Sequence, residues 1–151
     1  MATVPINLVL AEDDDGHATL IQRNLERVGV VNGFTRLKDG QETLDFLFAE
    51  GAYAGRPVGE TTLLLLDINM PRVDGVEVLR RLKADPRTAG MPVIMLTTTD
   101  DPREVERCYR LGCNVYITKP VDYQAFIEAI HRLGLFLQVV QVPRNGGNAS
   151  S

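Results

Sequence analysis

Leu63-Leu64-Leu65-Leu66-Asp67-Ile68-Asn69-Met70-Pro71-Arg72-Val73-Asp74-Gly75 is the stretch on which the fold turns. Four leucines in succession have no polar face, and a run that short reads as a strand covered on both sides, as in a parallel sheet packed between helices. An aspartate follows at once, then a turn with Pro71 and Gly75, then a helical stripe at Val76, Leu79 and Leu82. Ligands of open parallel sheets bind beyond the carboxyl ends of the strands. Asp67 therefore stands where chemistry is expected.

Outward from this strand the same unit recurs. Strands are predicted at 6–11, 34–37, 63–66, 93–96 and 115–117, alternating with segments of helical period, so the chain reads as five βα units around a mostly parallel sheet. Asp39 with Glu42, and Asp101 with Glu104, have capping-box spacing; Pro102 suits a first helical turn, Gly112 ends the fourth helix, and Asp85-Pro86 closes the third. Leu44, Leu47 and Phe48 form the buried stripe of the second helix. Residues 50–62, with Gly51, Gly55, Gly59 and Pro57, read as an ordered surface excursion. Residues 1–143 make one domain, and the small polar segment 144–151 is a disordered tail.

At 151 residues one domain can remove roughly 70% of its unfolded surface from water. A net charge of -4 offers no basic excess for a phosphate backbone, so nucleic acid is not expected as a partner. The absence of a secretory pattern and the presence of only Cys108 and Cys113 predict a cytoplasmic protein with reduced thiols. No apolar run has the length needed to span a bilayer. Both cysteines are expected to line the fourth helix and its exit, and Met70, Met91 and Met95 to fill core. His17 and His131 have no partner at ligand spacing and read as helix-surface or interfacial residues.

The strand ends carry a coherent set. Glu12, Asp13, Asp14 and Asp15 follow the first strand, Asp67 and Asn69 the third, Thr97 and Thr98 the fourth, and Lys119-Pro120 the fifth. Converging carboxylates repel one another unless a cation lies between them. Mg²⁺, which takes oxygen ligands and shares them with substrate phosphate, answers that need. Lys119 adds a compact positive charge and Thr97 a hydroxyl, both suited to phosphoryl oxygens. Together these residues describe a site for an incoming phosphoryl group, with an aspartate as nucleophile. Asp14 or Asp15 is expected to cap the first helix instead.

On the acidic pair Glu12-Asp13, the run from Leu65 to Gly75, the pair Thr97-Thr98, Tyr116 and Lys119-Pro120, residues 5–135 resemble the response-regulator receiver domains of bacterial two-component signalling. The resemblance implies a flavodoxin-like (βα)5 fold with helices on both faces of a five-stranded parallel sheet. It implies Asp67 as phosphoacceptor, Mg²⁺ held directly by Asp13 and Asp67, by Glu12 through water and by the Asn69 backbone carbonyl, and a sensor histidine kinase as partner. Thr97 and Tyr116 would form a switch pair, and the Lys119-Pro120 peptide would be cis. Leu47 to Tyr53, Leu82 to Arg87 and the apolar extension ending at Val142-Pro143 also resemble single-domain regulators that partner phytochrome histidine kinases.

Two other functions compete. A haloacid-dehalogenase-type phosphatase also uses a strand-end aspartate, Mg²⁺, a threonine and a lysine, but it needs a second aspartate where Asn69 stands. A docking module independent of phosphorylation should have lost one of the site residues. The resemblance implies a phosphoacceptor that catalyses its own modification and can remove it again, rather than a conventional enzyme. In the fifth helix Phe126, Ile130 and Leu133, with Ile127 beside them, suffice for one core. The chain continues with Leu135, Phe136, Leu137, Val139, Val140 and Val142, as an extended helix or arm, and the excess predicts a homodimer through the C-terminal third.

Overall fold

Parallel strands need crossovers, and each strand-to-strand connection here contains a helix that returns the chain across the sheet. The computed structural model describes residues 6–28, 31–56 and 62–137. Strands β1 (Ile6–Ala11), β2 (Val31–Leu37), β3 (Thr62–Leu66), β4 (Val93–Thr97) and β5 (Val115–Thr118) alternate with helices α1 (Asp15–Val28), α2 (Gly40–Leu47), α3 (Gly75–Ala84), α4 (Pro102–Leu111) and α5 (Tyr123–Leu137). The sheet is all parallel, in the order β2-β1-β3-β4-β5. No helix among the described residues is long and apolar enough to cross a membrane.

The period of two along each strand divides the interior into two layers. Val9, Ala11, Leu64, Leu66, Val93 and Met95 turn to one face, where they meet Leu44, Leu79 and Cys108. Leu8, Leu10, Leu63, Leu65, Ile94 and Leu96 turn to the other, against Ile21, Leu25, Phe126 and Ile130. Each buried leucine contributes about 1.5–3 kcal/mol. Met70, Met91 and Met95 are buried as expected, and Cys108 and Cys113 are both buried and free.

The helix ends carry most of the sequence signals, with some differences. Asp39 accepts from the Glu42 amide at 2.8 Å, and the Glu42 carboxylate accepts from the amide of Lys38 rather than Asp39. Asp101 accepts from Arg103 at 2.9 Å, so its spacing to Glu104 gives a cap without a closed box. Gly112 ends α4 in the left-handed region, at φ 115°. β2 begins at Val31, three residues earlier than predicted, because pairing with β1 extends the strand past its apolar part. The excursion after α2 opens with a 3-10 turn at Gly51–Tyr53, held by Arg56 over the Phe46 ring. Residues 57–61, the polar tail and Val139 to Val142 lie outside the described residues. The Lys119-Pro120 peptide is trans, the ordinary preference of an X-Pro bond, and not cis as the resemblance implied.

The β3–α3 turn is closely packed beneath the strand ends. The Gly75 amide donates to the Ile68 carbonyl at 2.8 Å, and a Cβ at Gly75 would stand 2.0 Å from the Asp67 carbonyl oxygen. Backbone cannot yield there as a flexible side chain could. Gly75→Ala should lower stability by about 1–3 kcal/mol, the usual range for overpacking. A denaturant titration with an unchanged midpoint would show that the turn has room to spare.

Candidate functional site

In-register parallel pairing ends β1 and β3 at one level, so their next residues project together, while β4 runs two residues further to Thr97. Ala11 pairs with Leu66, and the Asp67 amide donates to the Ala11 carbonyl at 3.0 Å, which sets Glu12 and Asp67 side by side. Thr97 pairs with Thr118, and the Lys119 amide donates to the Thr97 carbonyl at 2.6 Å. The fold thus collects residues distant in sequence at one end of the sheet.

Glu12, Asp67 and Lys119 are 1%, 6% and 3% exposed, while Asp13 stands at the rim. Carboxylate oxygens of Glu12, Asp13 and Asp67 all lie within 4.8 Å of one another. Lys119 Nζ donates to Glu12 Oε1 in a short contact, and to Asp67 Oδ2 at 3.3 Å. One ammonium among three carboxylates leaves negative charge uncompensated. Burial pushes the Glu12 carboxyl up to about 7 even though Lys119 pulls it down. Such a donor set, all oxygen and short of positive charge, fits a hard divalent cation. Glu12, Asp13 and Asp67 are the residues that could hold it.

Neighbouring groups fix the acidic loop. From β2, Arg36 Nε donates to the Glu12 carbonyl and its Nη1 to Asp15, each at 2.8 Å. Asp14 caps α1 by accepting from the His17 amide at 2.9 Å, a bond that also lowers its pKa. The two readings of the acidic run therefore divide between residues: Glu12 and Asp13 face the site, and Asp14 serves the helix.

Thr97 is fully buried, and its Oγ accepts from the Thr99 amide at 3.4 Å. The Tyr116 ring is half-buried, and its hydroxyl donates to the Thr99 carbonyl at 2.5 Å. Burial holds that hydroxyl protonated by raising its pKa to about 12. Thr97 and Tyr116 thus meet at one segment, the start of the β4–α4 loop. Asn69 is exposed; its amide lies 3.4 Å from Asp67 Oδ1, and its side chain donates to Thr99 Oγ at 3.2 Å.

Two participants escaped the sequence reading. Arg36 looks like any charged residue of an edge strand, and only the pairing of β2 with β1 reveals what it holds. For His17 the sequence predicts a surface or interfacial place. The residue is half-buried, with Nδ1 3.3 Å from Lys119 Nζ and its ring edge-on to Phe126 of α5. His131 is exposed, as expected.

Comparison with known proteins agrees with this geometry. The family described as "Response regulator receiver domain" matches residues 8–131. Response regulator Rcp1 of Synechocystis is 31% identical over 140 residues, covering 92% of this chain and 94% of Rcp1. Its Mn²⁺-bound crystal structure superposes with a TM-score of 0.83, at 30% identity, covering 93% of this chain and 99% of that one. A receiver domain from Rhodospirillum rubrum is similar at 48% identity and TM-score 0.86, with coverage of 93% and 99%. The phosphorylated cyanobacterial phytochrome response regulator RcpA is similar at 31% identity and TM-score 0.82, again covering 93% and 99%.

The Glu12 shift has a pH consequence for the metal-free protein. Its folded pKa, about 7, lies above the ordinary value of 4.5, so the native state keeps a proton that the unfolded chain releases. That contribution is complete below 4.5 and is lost as pH rises from 4.5 through 7. In chelator, the wild-type protein should lose stability over this window more steeply than Glu12→Gln. Parallel stability profiles for the two proteins would contradict the assignment to Glu12.

Proposed function

The chain belongs to the response regulator receiver domain family, and from that premise we propose that Asp67 accepts a phosphoryl group from a histidine kinase. The observation that carries the reading is the convergence of Glu12, Asp13, Asp67 and Lys119 at one end of the sheet. A carboxylate oxygen of Asp67 forms the new O–P bond while the N–P bond of the donor phosphohistidine breaks. The imidazole leaves with that electron pair. Lys119 places a fixed charge beside Asp67, where the transferring group gathers negative charge, without reorganisation at the moment of transfer. Thr97 supplies a hydroxyl from the neighbouring strand end.

Asp13 and Asp67 directly, Glu12 through water and the Asn69 backbone carbonyl would hold Mg²⁺, which would supply positive charge to the phosphoryl oxygens. The oxygen-only donor set and the Mn²⁺ in the Rcp1 structure support a divalent ion of this kind. Receiver domains partner with histidine kinases, and the likeness to RcpA supports a phytochrome as the sensor here. The family match and Asn69 count against the dehalogenase-type phosphatase, and the complete site residue set counts against a docking module.

A phosphoryl oxygen on Asp67 draws the Thr97 hydroxyl toward it. The bond from Thr97 to the Thr99 amide is long at 3.4 Å and easily given up, and Thr99 also anchors Tyr116. The β4–α4 loop and the tyrosine are thus the bistable element that one new anion biases. With Mg²⁺, acetyl phosphate should label the wild-type protein and leave Asp67→Asn unlabelled although folded. Label retained by Asp67→Asn would remove the nucleophile from this position.

The C-terminal third supports a homodimer. Leu133 closes the core, Leu135 is 49% exposed, and an apolar groove of about 300 Å³ runs along the β5 edge between Ile117 and Leu133. Sedimentation should give a dimer for the full chain at micromolar concentration and a monomer after removal of residues 134–151. A monomeric full chain, or a dimer that survives the truncation, would place the interface elsewhere or abolish it.

A further inference from the structure

An ammonium has three N–H donors and no acceptor. Around Lys119 Nζ the structure sets three acceptors: Glu12 Oε1, Asp67 Oδ2 at 3.3 Å and His17 Nδ1 at 3.3 Å. Because lysine can only donate, Nδ1 must be the acceptor, and a neutral imidazole then carries its proton on Nε2. Lys119 is 3% exposed, so water is not freely available to replace any of the three. The imidazole is itself fixed. Its backbone amide is bound by Asp14 at 2.9 Å, and its ring packs edge-on against Phe126 at 5.1 Å between centroids, 68° from coplanar.

We propose that His17 is a positioning residue for phosphoryl transfer, holding the Lys119 ammonium in the orientation from which it meets the phosphoryl group on Asp67. The inference rests on the phosphoacceptor reading of Asp67. The two carboxylates alone fix two of the three N–H vectors, and both would be drawn away by a bound cation. His17 has no charge to be recruited by the cation and therefore keeps Lys119 anchored from the side of α1. Through Phe126 the same ring joins the site to α5, so the lysine is braced by the α1–α5 seam as well as by β5.

Two substitutions separate this role from packing. Asparagine places its Oδ1 about where His17 carries Nδ1 but loses the ring that meets Phe126; leucine fills the seam but offers no acceptor. The initial rate of labelling by acetyl phosphate at saturating Mg²⁺ should fall roughly three- to tenfold in His17→Leu, the scale of one ordinary net hydrogen bond. His17→Asn should recover most of that loss. Thermal stability should run in the opposite order, with the leucine variant the more stable. The proposal is overturned if His17→Leu labels as fast as wild type, or if the rates of the two variants follow their stabilities. A wild-type protein that takes no label at all would instead overturn the phosphoacceptor reading, and this inference with it.

Discussion

Lys119 carries one positive charge into a site where Glu12 and Asp67 are both buried, with Asp13 at the rim. Taking these ions out of water costs several kcal/mol each, and their mutual attraction need not repay it. The cluster is therefore poor evidence of stability and good evidence of a site kept short of positive charge. The cost of burial is visible in Glu12, whose pKa is raised chiefly by desolvation although Lys119 lowers it. What remains of the structure can be understood as the apparatus that holds these groups at this distance.

Sheet register is the first part of that apparatus, since Ala11, Leu66 and Thr118 each bring the next residue to the same end. The second is the close turn at Gly75, which lets α3 start directly beneath the Asp67 backbone. Gly40 plays the corresponding part for α2: a Cβ there would stand 1.7 Å from the Val73 carbonyl, and Arg72 closes the junction by pairing with Asp39 at 3.0 Å. Arg36 and His17 complete it from the side of β2 and α1. A change at Asp67 is consequently felt by the surrounding backbone, which has little free space in which to absorb it.

Much of this was legible in the sequence, for physical reasons that can be named. Four leucines before Asp67 have one reasonable setting, a doubly covered strand, and the fold class followed from repeating that setting. The strand-end rule then selected Glu12, Asp13, Asp67, Thr97 and Lys119 before any distance was known, and the structure brings Glu12, Asp13, Asp67 and Lys119 together. Less visible were features that depend on which strands are neighbours. Arg36 and His17 have ordinary surroundings in sequence and acquire their partners only through the β1–β2 pairing and the α1–α5 packing. The early start of β2 likewise reflects pairing with β1 rather than local preference alone.

The central claim is that this cluster directs one phosphoryl group to one carboxylate. Peptide mass spectrometry of the wild-type protein after reaction with acetyl phosphate and Mg²⁺ tests it most directly, because acyl phosphates are split by hydroxylamine whereas phosphoesters are not. A single hydroxylamine-labile phosphoryl group is expected on the peptide carrying Asp67, and none when the metal is chelated. A phosphoryl group on any other residue, or one formed equally well in chelator, would contradict it.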